Sequence, residues 1–421
     1  MTRLLVVMGS GETSPTMVQA HRRTFDRLGP APVPAVLLDT PFGFQANADD
    51  IAARAVEYFR VSVGVEVAVA SYRAARGADT LATETVLSRL RSARWVFAGP
   101  GSPSYALRQW AGSQFPAVLG EKLATGGCLT FASAAALTLG VVTVPVYEIY
   151  KVGAEPVWLE GLDLLATAGL QAAVIPHYDN AEGGNHDTRF CYLGEPRLAA
   201  LEQELPEGAF VLGVDEHTAL VLDLDEASAT VVGRGGVTVR AGGASVVFPA
   251  GAELAVDDLR GAAEGRSPGG GAAPSPDARP APAPAAEGST PPALLLDLIR
   301  DLQQRFDLAL EDRSVRAAVG AILELDAALV EWSRDTLQSD QLDTGRSVLR
   351  SMVVRLGEVA EVGARDPHEV LAPFVDGLVE VRSQARSAGD WAAADGVRDR
   401  LLAAGVEVRD GPEGTTWGLV P

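Results

Sequence analysis

Lysine and cysteine are nearly absent from this 421-residue chain. Lys122 and Lys151 are its lysines, and Cys128 and Cys191 its cysteines. Two cysteines make neither a disulfide scaffold nor a zinc site of paired CxxC motifs, so a reducing cytoplasm is the expected compartment. Basic residues are outnumbered, 35 against 55 acidic, and the formal charge of −20 argues against a mainly electrostatic nucleic-acid or membrane-surface binder. No export signal is expected, because the first apolar run, residues 4–8, is short and stops at Gly9. Residues 128–146 carry no charge over about a membrane-spanning length. Their Ala, Thr and Ser content and central Gly140 fit a buried strand, turn and helix better than a span. Gly9-Ser10-Gly11 lacks the third glycine of a dinucleotide fingerprint, which excludes that reading.

What remains is an ordinary globular mixture, 47% hydrophobic and 21% charged, long enough for two or three domains. Residues 259–292, which include GRSPGGGAAPSPDARPAPAPAAEGSTPP, are almost entirely Gly, Ala, Pro, Ser and charge. Such a stretch buries too little apolar surface to offset chain entropy and reads as a disordered linker. It separates a domain at 1–258 from another at 293–421.

The first domain alternates short apolar runs with amphipathic segments. Residues 4–8, 35–38, 65–70, 95–98, 129–132, 172–175 and 210–214 read as buried strands, and 17–28, 49–59 and 83–91 as helices. That alternation predicts an α/β fold: one mostly parallel sheet with helices on both faces. Residues 219–224, 229–232 and 237–240, with turns at 226–227, 233–236 and 242–243, predict an antiparallel meander at its edge. The second domain shows helical apolar spacing over 294–310, 315–333, 346–360, 367–388 and 391–404. It ends in a hairpin predicted at 406–409 and 415–419. This is an all-α bundle with a short β tail.

Ligands of open α/β sheets bind at the carboxyl ends of the strands. Four segments fall there: 9–13, 99–104, 131–136 and 176–180. Ser133, between an apolar strand and an Ala-rich helix start, has the layout of a nucleophile elbow. A serine needs a base, and His177 beyond another strand end is the candidate; Glu216, after 210–214, fits as the group that orients it. Alternatives exist for each residue. Ser133 also reads as an N-cap, His177 as a satisfied core histidine, and Asp215 and Glu216 as solvated loop charges.

Beyond these local readings lie two resemblances. Gly99-Pro100-Gly101 through Leu107, Ser133-Ala134, Pro176-His177, and Gly213 to Leu220 with the meander at 232–239 carry the first. Together they make the first 250 positions resemble the cyanophycinase and aspartyl dipeptidase group of serine peptidases, of class I glutamine-amidotransferase-like fold. The resemblance implies Ser133 as nucleophile, His177 as base and Glu216 as its partner. It further implies Gly99, Gly101 and Ala134 at an oxyanion hole, with Asp179 and Arg189 toward substrate, a peptide or amide bond cleaved, and no metal or organic cofactor. This chain departs from the family's Gly-x-Ser-Ala-Gly-Ala elbow, since Phe131 and Ala135 stand where the two glycines belong. A non-hydrolytic, ligand-binding descendant is the alternative. Glu148, Tyr150, Lys151, His186 and Asp187 are polar residues for a modified pocket.

The second resemblance rests on residues 378–386, Gly389-Asp390-Trp391-Ala392-Ala393-Ala394-Asp395, Arg398-Asp399, Leu401, Gly405, Asp410, Pro412-Glu413-Gly414-Thr415 and Trp417. These look like the C-terminal, anticodon-reading end of bacterial cysteinyl-tRNA synthetase. The synthetase's HIGH and KMSKS signatures are absent from the sequence, so activation of cysteine by that route is excluded. The resemblance implies tRNA as partner. The charge, 14 Arg against 23 acidic residues over 293–421, instead favours protein contacts. An arginine group at 382, 386, 398, 400 and 409 keeps RNA open. No membrane partner is expected, and the oligomeric state is not legible.

Overall fold

The computed structural model describes residues 2–183, 186–266, 293–336, 340–363, 366–411 and 414–420. They fall into two compact units, Met1–Arg300 with Leu325–Gly345, and Asp301–Glu324 with Arg346–Pro421. Among the described residues no helix is long and apolar enough to cross a membrane.

Short uninterrupted apolar runs form the centre of the first unit, because a strand covered on both faces needs no polar alternation. Strands β1 (Arg3–Met8), β2 (Ala35–Leu38), β3 (Ala68–Ala70), β4 (Trp95–Ala98) and β5 (Gly127–Ala132) are parallel. Their alternating side chains feed two cores. Leu5, Val7, Val96 and Phe131 face one side, while Leu4, Val6, Met8, Trp95 and Phe97 face the other. Of the run at 65–70 only Ala68–Ala70 pairs, since Val65 N–H is tied back to Phe59 O at 2.9 Å.

The strands that follow are β6 (Val142–Thr143), β7 (Leu159–Glu160), β8 (Ala172–Ile175), β9 (Phe210–Val214) and β10 (Thr218–Asp223). After them come β11 (Ser228–Gly233), β12 (Gly236–Ala241), β13 (Ala244–Pro249) and β14 (Glu253–Ala255). The mixed α/β architecture is as expected, but the strands do not form one sheet. Eight run in the order β14-β11-β10-β1-β5-β4-β2-β3, and four form a separate sheet, β13-β12-β9-β8. The expected meander is split accordingly. β10 and β11 add antiparallel to β1, whereas Gly233, at φ +118°, turns the chain out and β12 pairs with β9.

Helices α1 (Val18–Leu28), α2 (Ala48–Tyr58), α3 (Thr80–Ser92), α4 (Pro103–Trp110) and α5 (Phe115–Thr125) alternate with the parallel strands. Asp79 caps α3 on Leu81 N–H, and Ser102 caps α4 on Tyr105 N–H. Further on lie α6 (Ala134–Leu137), α7 (Val146–Tyr150), α8 (Gly194–Gln203) and α9 (Val256–Ala263). The apolar stripe of α9 buries Leu259 and Ala262, so ordered chain continues past 258. Residues 267–292, most of the expected linker, lie outside the described residues.

Helices α10 (Leu295–Glu311), α11 (Val315–Trp332) and α12 (Gln341–Gly363) follow. In the second unit, α13 (Pro367–Ser387) and α14 (Trp391–Ala403) precede a hairpin of β15 (Val406–Gly411) and β16 (Gly414–Leu419). Val375, Leu401, Val406 and Val408 form its core. Arg382 closes the hairpin onto α13 with a bidentate pair to Asp410, 2.8 and 2.7 Å, joined by Arg386 at 2.6 Å.

The loop after β1 is packed directly on the loop after β9. A Cβ on Gly9 would lie 2.0 Å from Asp215 O, and one on Gly11, at φ +67°, 2.2 Å from His217 Nδ1. Replacing Gly11 by Ala therefore combines a left-handed penalty with overpacking, and a loss of about 2–4 kcal/mol is expected in denaturant unfolding.

Candidate functional site

The elbow forms without the two glycines. Ser133 takes φ 50° and ψ −121°, a conformation a non-glycine residue holds only when its surroundings enforce it. They do so here. Ser133 N–H donates to Met8 O at 3.2 Å and Ala135 N–H to Gly99 O at 3.1 Å, pinning the turn between β1 and the segment after β4. Phe131 points into the core, its ring 6.3 Å from Trp110, and Ala135 is fully buried.

Residues from the two sheets meet above this turn. Ser133 follows β5 of the large sheet, while His177 and Glu216 follow β8 and β9 of the small one. Ser133 Oγ lies 2.9 Å from His177 Nε2, and His177 Nδ1 lies 2.7 Å from Glu216 Oε1. A carboxylate only accepts, so Nδ1 carries the proton and Nε2 is left to accept from the hydroxyl. Ser133 and His177 are 9% and 6% exposed, closed to bulk water but at the surface. Asn180 donates to Glu216 Oε1 at 3.2 Å, and Glu216 N–H donates to Asp179 Oδ1 at 2.7 Å.

Burial works against charge on His177, but Glu216, by hydrogen bond and by charge, with Glu12 and Glu182 beyond, raises its pKa above the ordinary histidine value. Burial also opposes ionisation of Glu216, yet His177 and Asn180 hold its pKa below the usual carboxylate value. The neighbouring acids pay for this crowding. Burial and Asp179 push Asp215 up to about 7, and burial pushes Asp179 up as well.

The remaining expected residues are placed as follows. Gly99 borders the elbow through its carbonyl on Ala135 N–H, while Gly101 packs against Pro41, whose O a Cβ there would meet at 2.0 Å. Ala134 is the first residue of α6. Asp179 is engaged with the backbone of Glu216, and Arg189 forks onto Asp187 at 2.9 and 3.0 Å. Glu148 accepts from Ser104 Oγ and lines a cavity of about 860 Å³ with Arg108, Glu155 and Val157, a lining that does not include Ser133, His177 or Glu216.

Three features went unread. Glu12 lies in the loop after β1, 1% exposed, with Oε1 3.2 Å from where a Gly99 Cβ would sit. Its only sequence signal is an acid among small residues at a strand end. Trp332, at the end of α11, packs edge-on to His217 with centroids 5.9 Å apart. Asp335 accepts from Thr13 Oγ1 at 3.0 Å, and Thr336 N–H donates to it at 2.8 Å. Nothing local in residues 325–345 marks them as part of the first unit.

Comparison with known proteins separates the two halves. The crystal structure of a peptidase from an acI-B1 Actinobacterium superposes with a TM-score of 0.50 at 20% identity, over 61% of this chain and 97% of that one. Residues 368–417 match the cysteinyl-tRNA ligase anticodon binding domain. The cysteine–tRNA ligase of Micrococcus luteus is 35% identical over 143 residues, 32% of this chain and 29% of the ligase. That of Salmonella arizonae is 48% identical over 61 residues, 14% of this chain and 10% of the ligase. The chain thus spans less than a third of the length of these curated relatives. It joins a peptidase-like α/β fold to a region that matches the anticodon-binding domain of cysteinyl-tRNA ligase.

Proposed function

We propose that the first unit is a serine hydrolase of the cyanophycinase and dipeptidase type, cleaving a peptide or amide bond. The observation that supports this reading is the hydrogen-bonded series Ser133–His177–Glu216, at 2.9 and 2.7 Å, on an elbow whose serine has positive φ. His177 Nε2 takes the hydroxyl proton as Ser133 Oγ attacks the carbonyl carbon. Glu216 holds the imidazole in the required tautomer and stabilises the imidazolium. The carbonyl oxygen, now negative, is received by backbone N–H groups at Gly99–Gly101 and Ala134. His177 returns its proton to the departing amine, and water, deprotonated by the same imidazole, hydrolyses the acyl-enzyme. The reaction uses no redox or metal step.

In the second unit, residues 368–417 are proposed to contact tRNA. Arg382 and Arg386 are bound to Asp410 and Arg409 to Glu407, which leaves Arg398 and Arg400 as the phosphate-facing pair. Trp391, 60% exposed with Arg386 5.9 Å from its ring centre, offers a face on which a base can stack. A cytoplasmic location fits this partner and the free, buried Cys128 and Cys191.

A fluorophosphonate probe is expected to label the full chain covalently, and Ser133→Ala to abolish labelling; absence of labelling in the wild type at every pH sinks the hydrolase in favour of a ligand-binding protein. The base must be neutral to act, and its pKa is raised, so the labelling rate should fall on the acid side with a midpoint above 6.5. In Glu216→Gln that midpoint should move to lower pH, because a hydrogen bond and a charge that favour the imidazolium are lost, and the plateau rate should drop about 10²–10⁴-fold as the tautomer is lost. For the second unit, the full chain should shift tRNA at low salt. With two free arginines the plot of log K against log salt should have a slope of no more than about −2. No shift at low salt, or loss of none of it in Arg398→Ala/Arg400→Ala, points to protein partners instead.

A further inference from the structure

His217 follows Glu216 directly, and its backbone lies in the left-handed region, at φ 52°. A residue other than glycine stays there only when its surroundings over-determine it. The loop after β1 supplies one side of that hold. Ser14 Oγ donates to Gly11 O at 2.6 Å, which uses its one proton. Ser14 Oγ and Thr16 Oγ1 lie 2.6 Å apart, so the proton between them comes from Thr16. His217 Nδ1, 2.8 Å from Thr16 Oγ1 and 3.2 Å from Ser14 Oγ, must then carry a proton and donate it. Burial keeps the ring neutral, its pKa lowered to about 4, so the tautomer of His217 is fixed. Gly11 lies beneath the ring, where a Cβ would come within 2.2 Å of Nδ1.

Residues 332–336, far along the chain, supply the other side. Trp332, buried at the end of α11, meets the His217 ring edge-on at 72°, with centroids 5.9 Å apart. Asp335 and Thr336 seat on the loop that carries Ser14 and Thr16. Thr13 Oγ1 donates to Asp335 Oδ1 at 3.0 Å and accepts Thr336 N–H at 2.8 Å. With its own proton already given, it also accepts the Thr336 hydroxyl at 2.9 Å. One proton given and two lone pairs filled exhaust what a hydroxyl can do. Thr13, Asp335 and Thr336 are all buried, so these residues are packed into the first unit. Asp335 N–H donates to Trp332 O at 3.0 Å, and Arg54 of α2 donates to Asp335 O at 3.4 Å, which fixes the turn.

We propose that Trp332, Asp335 and Thr336 are positioning residues for the catalytic site: docked as a strap, they hold His217 in its left-handed conformation and so set Glu216 against His177. Each link is a contact or a bond. Asp335 and Thr336 hold Thr13, and the loop from Thr13 to Thr16 holds His217 together with Trp332. His217 is joined to Glu216 along the chain, Glu216 Oε1 lies 2.7 Å from His177 Nδ1, and His177 Nε2 lies 2.9 Å from Ser133 Oγ. Glu216 is pinned on its other side, where its N–H donates to Asp179 at 2.7 Å. Release of His217 from the left-handed region would turn the Glu216 carboxyl about that pin and free the imidazole to change tautomer. The proposal rests on the Ser133–His177–Glu216 reading, but its spectroscopic test does not require turnover.

Nitrogen-15 spectra of the histidine rings of the full chain, with His177 assigned by comparison with His177→Asn, provide that test. In the wild type neutral His177 should carry its proton on Nδ1. Trp332→Ala should give a mixture of the two tautomers and slow fluorophosphonate labelling about 10²-fold, the effect of misplacing a positioned group by about 1 Å. Trp332→Phe, which keeps an aromatic edge against His217, should restore both. Asp335→Ala and Asp335→Asn form a second pair, the asparagine keeping an oxygen for Thr13, and they decide the matter should Trp332→Ala fail to melt cooperatively. A cooperatively folded alanine variant with the tautomer and labelling rate of the wild type overturns the proposal, as does a loss that neither conservative variant restores. A wild type that is never labelled removes the hydrolase reading, and the tautomer of His177 in the variants still decides the role of the strap.

Discussion

A hydroxyl anchored in one sheet and an imidazole anchored in another stand 2.9 Å apart, and the site exists only because the seam between those sheets is held to that tolerance. Neither sheet fixes the distance alone. β5 sets the height of Ser133, β8 and β9 set His177 and Glu216, and the loop after β1 is wedged between them. Gly9 and Gly11 allow that wedge, because any side chain there would collide with Asp215 or His217. The positive φ values of Ser133, His177 and His217 lie at the same junction. Backbone strain concentrated there, and nearly absent from the parallel strands beneath, is what a packed scaffold can sustain when its core is already paid for in buried apolar surface.

Electrostatics at the junction follows one logic. Glu216 is hydrogen-bonded to the imidazole, Asp179 to Glu216 N–H, and Asp215 flanks Glu216 in the same loop, while Glu12 is buried in the loop after β1. Glu216 keeps its charge because it accepts from His177 and Asn180. Asp215 and Glu12 are pushed up to about 7. A low effective dielectric makes each of these differences large, which is why the same residue type takes different protonation states within one loop cluster.

Much of this was legible in the chain itself. Buried parallel strands announce themselves as apolar runs, and residues 35–38, 95–98, 172–175 and 210–214 form strands with the bounds expected. Ser133, His177 and Glu216 each follow such a run, and the structure joins them by hydrogen bonds. The partition into two sheets was not legible, since periodicity reports which face is buried but not which neighbour a strand chooses, and β12 leaves β11 through a turn like any other. The resemblance implies Asp179 and Arg189 toward substrate, and their hydrogen bonds to Glu216 N–H and Asp187 are visible only in the structure. Glu12 falls in the strand-end segment 9–13, but nothing in the sequence distinguishes it from its neighbours or shows its burial. The arginine group of the second unit shows the same gap: spacing finds the cations, and only coordinates reveal the Asp410 that consumes two of them.

Residues 325–345 carry a practical consequence. Composition invites division of the protein at the Gly/Ala/Pro stretch, yet Trp332, Asp335 and Thr336 belong to the first unit and close over His217 and Thr13. A fragment ending before that stretch would present a bare aromatic seat and an unfilled threonine hydroxyl to solvent. The natural scissors mark on this polypeptide is therefore not where its sequence is most dispensable.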